Sequence, residues 1–276
     1  MINFDSIYEE EDAIHIVMDY LPGGTLKDFM RNNGVLTDHQ SFIVLQTLLK
    51  MLQHLNSLGI IHRDLKPENI MLREPKISSE NLVLIDFGFS VFMSETPFDF
   101  KRCGTPGFMG PEILSLKNDE PMYGPKCDIF SVGIIWYYCL FGSLPFKARS
   151  SKELISKNKK GDLSFGNSKK FKTIESSIKK LLERNPNDRI DVETALNTDY
   201  LFNILCDDEN TDEIDGELPS KNIERLNRQL FEIPLNLFNF KIFTQYFPTN
   251  MQSPFFKIRK YTRNLSKCHY VRRIRK

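Results

Sequence analysis

The 276-residue sequence predicts an α+β fold: a short β-rich start, a larger helical body and an irregular C-terminal tail. Three observations carry this. Residues 13–19 form an apolar run of strand length before a Pro-Gly-Gly turn. From residue 25 the apolar spacing changes to a helical period, opened twice by capping boxes. Residues 203–218 hold seven acids and no Lys or Arg, whereas residues 251–276 hold nine bases and no acid, so the last quarter reads as linker and tail.

The elements follow in order. Two strands are expected, at about 3–9 and at 13–19, the second ending at Tyr20-Leu21-Pro22-Gly23-Gly24. Thr25 with Asp28 caps a helix through Leu26, Phe29 and Met30, which stops at Asn33-Gly34. Thr37 with Gln40 opens a longer one; Phe42, Leu45, Leu48, Leu49, Leu52, Leu55 and Leu58 line its inner face until Gly59. Ile70-Met71-Leu72 and Leu82-Val83-Leu84-Ile85 are short strands, the latter running into Asp86. Residues 87–112 are irregular, and a loop that long inside a compact domain usually carries function. Helices are expected over 128–141, 151–158, 174–184 and 191–197, with an amphipathic helix near 221–232.

Composition narrows the function classes. Lys+Arg 37 against Asp+Glu 36 gives a net charge of +1, so no overall field attracts nucleic acid. Cys103, Cys127, Cys139, Cys206 and Cys268 are odd in number and form no CxxC; free thiols in a reducing compartment are expected, hence a cytoplasmic protein. The longest apolar stretch, 129–141, falls short of the ~20 residues of a membrane span and reads as a buried helix. Acids at 9–12 precede the first apolar run, so no signal peptide is expected.

Three motifs carry chemistry. His62-Arg63-Asp64-Leu65-Lys66-Pro67-Glu68-Asn69 follows the long helix, Asp86-Phe87-Gly88 ends a strand, and Gly110-Pro111-Glu112 closes the irregular segment. Their order and spacing resemble the large lobe of eukaryotic protein kinases over residues 3–202. The resemblance implies a kinase domain over 1–202, with a small-lobe remnant at 1–18, a hinge at 19–24 and the large lobe at 25–202; an acidic linker and a basic, aromatic tail then fill 203–276. It further implies ATP and Mg²⁺ as cofactors. Asp64 would orient the attacking hydroxyl, Lys66 would stand beside the transferring phosphoryl group, and Asn69 and Asp86 would hold magnesium with hard oxygen donors. Lys-Pro-Glu-Asn in the loop, with Gly104-Thr105-Pro106 downstream, resembles Ser/Thr kinases, so a protein Ser/Thr substrate is expected. Thr105 would bond Asp64 and Lys66.

By similarity, Met18 is the gatekeeper, the Asp19 carbonyl and Leu21 amide pair with adenine, and Met71, Ile85 and Glu68 complete the nucleotide side. Arg63, Phe87 and Gly88 belong to the activation machinery, Glu112 and Arg189 to a buried ion pair, and Asp128 to an anchor of the catalytic loop. The Cys103–Met109 segment resembles most the calcium/calmodulin-dependent group. The basic stretch Phe255, Phe256, Lys257, Arg259, Lys260, Tyr261, Arg263 is compatible with calmodulin, an acidic lipid surface or RNA, or with a solvated tail.

The sequence also departs from the family. No Gly precedes Gly23 and no Lys precedes Lys27, so the glycine-rich loop, strand lysine and helix glutamate of the small lobe are not found; an N-terminally truncated domain with little turnover by itself is expected, or else a binding or regulatory module. The usual activation-loop phosphosite aligns with Lys101; Asp99 would be an acidic stand-in and Ser94 and Thr96 alternative sites, or each is a solvated loop residue. Thr25 and Tyr138 stand where acids would select upstream Arg in a substrate, leaving only Glu68.

Overall fold

The computed structural model describes residues 4–9, 13–95, 98, 100–117, 122–146, 148, 150–161, 163, 165, 172–197 and 269–275. The chain opens with strands β1 (Phe4–Glu9) and β2 (Ala13–Asp19), paired antiparallel with a register shift between Phe4 and Ser6. Helices α1 (Leu26–Asn33) and α2 (Asp38–Ser57) follow. Both expected capping boxes form: Thr25 Oγ1 accepts from the Asp28 amide at 3.0 Å, and Thr37 Oγ1 from the Gln40 amide at 3.2 Å. Gly59 then takes φ 70°, the left-handed conformation that ends a helix.

After α2 come β3 (Ile60–Ile61), a 3₁₀ turn over Pro67–Asn69, β4 (Ile70–Leu72), β5 (Leu82–Leu84) and β6 (Val91–Phe92). β4 pairs with β5, and β3 with β6, both antiparallel. These ribbons lie on either side of the His62–Asn69 loop in sequence and clamp its ends. Helices α3 (Pro111–Ser115), α4 (Lys126–Phe141), α5 (Ser151–Lys160), α6 (Lys172–Leu181) and α7 (Val192–Ala195) complete the lobe. β3, β6 and α3 fall where the sequence suggested only irregular chain.

The core explains the lobe's rigidity. Leu45, Leu48, Leu49 and Leu52 of α2 are at most 1% exposed, as are Ile129, Phe130, Val132, Ile134, Ile135 and Trp136 of α4. A helix apolar on all sides must be wrapped by others, and α4 is packed between α2 and α6. Ser131, buried on this helix, donates to the Phe108 carbonyl at 2.8 Å and so ties the irregular segment to the core.

A final strand, β7 (His269–Arg275), lies within the segment expected to be an irregular tail. It pairs antiparallel with β2 and gives a three-stranded sheet of order β1-β2-β7. The helix expected near 221–232, the basic stretch 255–263, Cys206, Cys268, Thr96 and Asp99 lie outside the described residues.

Candidate active site

The loop Ile61–Asn69 is built around one buried carboxylate. Asp128, in the first turn of α4, accepts from the His62 amide at 2.7 Å and from the Arg63 amide at 2.9 Å. Those two bonds hold Arg63 at φ 69°, a conformation costly for a residue with a Cβ, which persists only where surrounding contacts dictate it. Burial pushes the Asp128 carboxyl up, an effect countered by His62 and the two amides.

His62 is fully buried, and burial pulls its imidazole below the ordinary value. Its Nε2 lies 3.3 Å from the Ile85 carbonyl, and its Nδ1 lies 3.3 Å from the Asp64 amide. A carbonyl can only accept and an amide only donate, so the ring is neutral with its proton on Nε2. The neutral ring thereby joins the start of the loop to the strand end that carries Asp86, and Phe87 packs on it at 4.9 Å between centroids.

Asp64 is 5% exposed and stands at the centre of the site. Its Oδ1 accepts from Thr105 Oγ1 at 2.7 Å, and its Oδ2 accepts from Lys66 Nζ at 2.6 Å and from Asn69 Nδ2 at 3.2 Å. Lys66 also donates to Thr105 Oγ1 at 2.9 Å, so the hydroxyl is engaged as both donor and acceptor. A carboxylate has about four acceptor positions, which leaves room for one more proton donor at Oδ1. Gly104 permits this arrangement: it takes φ 118°, and a Cβ there would stand 2.8 Å from the Arg63 carbonyl.

Asn69 donates its amide hydrogens to the Asp64 carbonyl at 2.8 Å and to the Asp64 carboxylate, and its amide oxygen makes no hydrogen bond among the described residues. Asp86, at φ 64°, accepts from the Gly88 amide at 3.1 Å. An amide oxygen and a carboxylate are hard donors suited to magnesium, which usually takes one or two protein ligands and fills its shell with water and phosphate oxygens. No cluster of three or more His, Cys, Asp or Glu able to cage a metal occurs among the described residues.

The residues that the resemblance assigns to the nucleotide side lie in or near the connector between sheet and lobe. Leu21 is buried, while Met18, Asp19, Met71 and Ile85 are half-buried. The Gly23 amide donates to the Leu72 carbonyl at 3.1 Å, and the Leu72 amide donates to the Gly24 carbonyl at 2.8 Å, fastening the connector to β4. Glu68 Oε1 accepts from Lys27 Nζ at 2.5 Å, so the one acid left on that face is paired within the chain.

Arg63 binds protein groups directly. Its Nε donates to the Phe89 carbonyl at 2.6 Å, and its Nη1 to the Phe100 carbonyl and the Tyr123 hydroxyl, each at 3.2 Å. The guanidinium lies 5.3 Å from the Phe98 ring centroid. Ser94 is exposed on the same segment. Further out, Arg189 grips Glu112 bidentately at 2.6 and 2.9 Å and donates to the carbonyls of Glu183, Arg184 and Lys126. With its side chain 0% exposed, its charge is fully matched by acceptors.

Three contributors were not apparent from sequence: Tyr123, Phe98 and Asn158, whose Nδ2 donates to the Met109 carbonyl at 2.9 Å. Asn158 is 1% exposed, yet it sits among lysines at the polar end of α5, so only the fold reveals it.

A sequence model of the protein kinase domain matches residues 1–201. The chain is 36% identical over 211 residues to probable serine/threonine-protein kinase 2 of Plasmodium falciparum, covering 75% of this chain and 40% of that protein. It is 34% identical over 200 residues to calcium-dependent protein kinase 11 of Arabidopsis thaliana, covering 71% and 39%. With serine/threonine-protein kinase cds1 of Schizosaccharomyces pombe the identity is 32% over 219 residues, covering 76% and 46%. The chain thus spans less than half the length of these relatives.

Proposed function

Because this chain belongs to the protein kinase family, we propose that it transfers the γ-phosphoryl group of ATP to serine or threonine hydroxyls of a protein substrate. The observation that carries the proposal is the Asp64 carboxylate, fixed by Thr105, Lys66 and Asn69 yet able to take one more proton donor. Phosphoryl transfer asks a protein mainly to position groups and neutralise charge. Asp64 receives and aligns the substrate hydroxyl and takes its proton as the bond to phosphorus forms. Lys66 holds a positive charge against the transferring oxygens, and Thr105 keeps Asp64 and Lys66 in register. Magnesium, bound with ATP, offsets the phosphate charge; Asn69 and Asp86 are the residues that would hold it.

The adenine end of the ligand falls to Met18, Asp19, Leu21, Met71 and Ile85, with Glu68 at the rim. The self-paired Glu68 supports a substrate preference without a strong demand for upstream arginine. No helix among the described residues is long and apolar enough to cross a membrane, and the buried thiols of Cys103, Cys127 and Cys139 support a reducing, cytoplasmic setting. The basic stretch at 255–263 extends the proposal to an acidic contact, calmodulin being the protein example.

The test is transfer of labelled γ-phosphate from MgATP by the full chain to a mixture of Ser/Thr protein substrates. Label on Ser or Thr that disappears in Asp64→Asn supports the proposal. Equal transfer by the variant, or no binding of any nucleotide by the wild-type chain, overturns it.

A further inference from the structure

Residues 105–109 leave the site described above and enter the core almost at once. Thr105 is bonded to both Asp64 and Lys66, Pro106 is exposed, and Gly107, Phe108 and Met109 are buried. The Phe108 amide donates to the Thr105 carbonyl at 3.0 Å and closes a turn over the exposed proline. Two side chains of the helical body then hold the carbonyls that follow. Ser131 of α4 donates to that of Phe108 at 2.8 Å, and Asn158 of α5 donates to that of Met109 at 2.9 Å.

Asn158 is the unexpected member of this pair. It is 1% exposed and is the one buried residue of α5 among the described residues, a position usually filled by an apolar side chain. A carbonyl only accepts, so the Asn158 amide nitrogen must face Met109, and its Oδ1 has no hydrogen-bond partner among the described residues. A buried amide with one idle acceptor adds little to stability, so folding alone does not account for it. One turn earlier on the same helix face, Leu154 lies against Gly107: a Cβ there, at φ 102°, would stand 3.3 Å from Leu154 Cδ2 and 3.1 Å from Leu144 Cδ1. Met109 reaches back toward the catalytic loop, its Cγ 3.0 Å from the place of a Gly104 Cβ, beside Thr105. A continuous run of contacts therefore joins Asn158 to Asp64.

We propose that Asn158 is a positioning residue for the protein substrate: from α5 it fixes the 105–109 strip, beside which the chain carrying the accepting hydroxyl must lie to reach Asp64. This rests on the reading of the protein as a Ser/Thr protein kinase. Thr105 occupies one acceptor position of Asp64 Oδ1, so a hydroxyl that takes the remaining position on that oxygen passes next to Thr105 and the exposed Pro106. The groups assigned to magnesium and nucleotide, Asn69, Asp86 and the connector, do not belong to this strip. A shift of the strip therefore weakens the protein substrate and spares ATP, and small misplacements of a reacting group are costly in rate.

Steady-state kinetics of the full chain, with a Ser/Thr protein substrate and MgATP varied separately, tests this. Asn158→Leu removes the donor and the idle acceptor together while filling the space. It should lower kcat/KM for the protein substrate about tenfold, the scale of one lost hydrogen bond, with the KM for MgATP and the melting temperature unchanged. Asn158→Ala, which removes the amide without added bulk, should show the same split, so a misfolded leucine variant does not spare the proposal. Lys159→Ala, the neighbouring position on α5, should change neither substrate. An unchanged kcat/KM for the protein substrate in both Asn158 variants overturns the proposal, as does an equal loss for protein and MgATP, which marks a general packing role. Amide hydrogen exchange gives a readout independent of turnover: Asn158→Leu should speed exchange at Phe108–Gly110 and leave α2 and α4 as they were. Unchanged exchange there overturns the proposal whether or not phosphate is transferred. A wild-type chain that transfers no phosphate to any protein refutes the kinase reading itself, a result distinct from all of these.

Discussion

The helical lobe and the small sheet position their polar residues by opposite means. In the lobe, Asp64, Asn69, Asp128 and Arg189 are at most 5% exposed, and each is held by side-chain hydrogen bonds to loops packed on α2 or α4. In the sheet, β1 and β7 are joined to the rest chiefly through backbone pairing with β2, and β7 comes from the far end of the chain. Side-chain networks in a dry interior fix geometry to fractions of an ångström, whereas elements joined mainly by backbone pairing at one margin of a fold open locally more easily. The chemistry is therefore preorganised in the lobe, and the sheet is the part that can adjust to a ligand.

The largest expected effect tests that contrast directly. By amide hydrogen exchange, α2 and α4 should open only with global unfolding, on the order of 5–15 kcal/mol, whereas β2 and β7 should open locally at a few kcal/mol. Saturating MgATP should raise protection in β2, which runs into the connector at Asp19–Leu21, and leave α2 and α4 as they were. Equal protection in both regions without ligand would break the comparison.

Next in size is Asp64→Asn, which removes a positioned proton acceptor and should lower transfer by about 10²–10⁴-fold while the melting temperature stays near the wild-type value. Thr105→Val should reproduce part of that loss, because Thr105 is bonded to both Asp64 and Lys66. Arg189→Ala acts on stability instead. It leaves Glu112 and three carbonyls without their donor, at about 3–5 kcal/mol, so urea unfolding should show a large fall in midpoint or an insoluble product. A normal unfolding curve would mean that the pair does not anchor the lobe.

A smaller effect is expected from Tyr123→Phe. Burial pushes the Tyr123 hydroxyl up, so it stays neutral, and it accepts from Arg63 with Cys103 Sγ nearby at 3.8 Å. Removing one hydrogen bond to a charged group should cost about 1.5 kcal/mol. The cost should appear as loosening of the Phe89–Phe100 segment in limited proteolysis, with the rest of the lobe intact.

The same contrast explains what the sequence revealed. The Thr25–Asp28 and Thr37–Gln40 caps are local, so three residues suffice to show them, and α4 declared itself by being apolar on every face. The Asp64–Lys66–Asn69 group was legible because it sits on one short loop whose spacing is itself the signal. Ile60–Ile61 and Val91–Phe92 were not legible, since two-residue strands carry no period. The contact of Tyr123 with Arg63 joins residues 60 apart. β7 was hidden for a different reason. In His269–Arg275 basic and apolar residues are mixed at both odd and even positions, so the sequence shows no clean alternation, and only the backbone pairing with β2 reveals the strand.

The smallest effect concerns pH and falls on His62, the hinge between the loop and the Asp86 strand. Burial lowers its folded-state value below the ordinary 6.5, against the pull of Asp128, Asp86 and Asp64 and of the Ile85 carbonyl. Above pH 6.5 the ring is neutral in both folded and unfolded chains, and its contribution is complete. As the pH falls below that value the unfolded chain takes up a proton that the folded ring resists, so stability declines towards the lowered folded value. One proton limits the slope to about 1.4 kcal/mol per pH unit. Asp128, whose folded value is raised, contributes with the opposite sign, beginning from above its ordinary 3.8. Urea unfolding between pH 7.5 and 5.5 should therefore show a decline that His62→Gln flattens, because an amide can still donate to Ile85 and accept from Asp64 without titrating. If the decline is unchanged in His62→Gln, the buried ring is not its source, and the sensitivity belongs to the more exposed groups of the sheet and its surroundings.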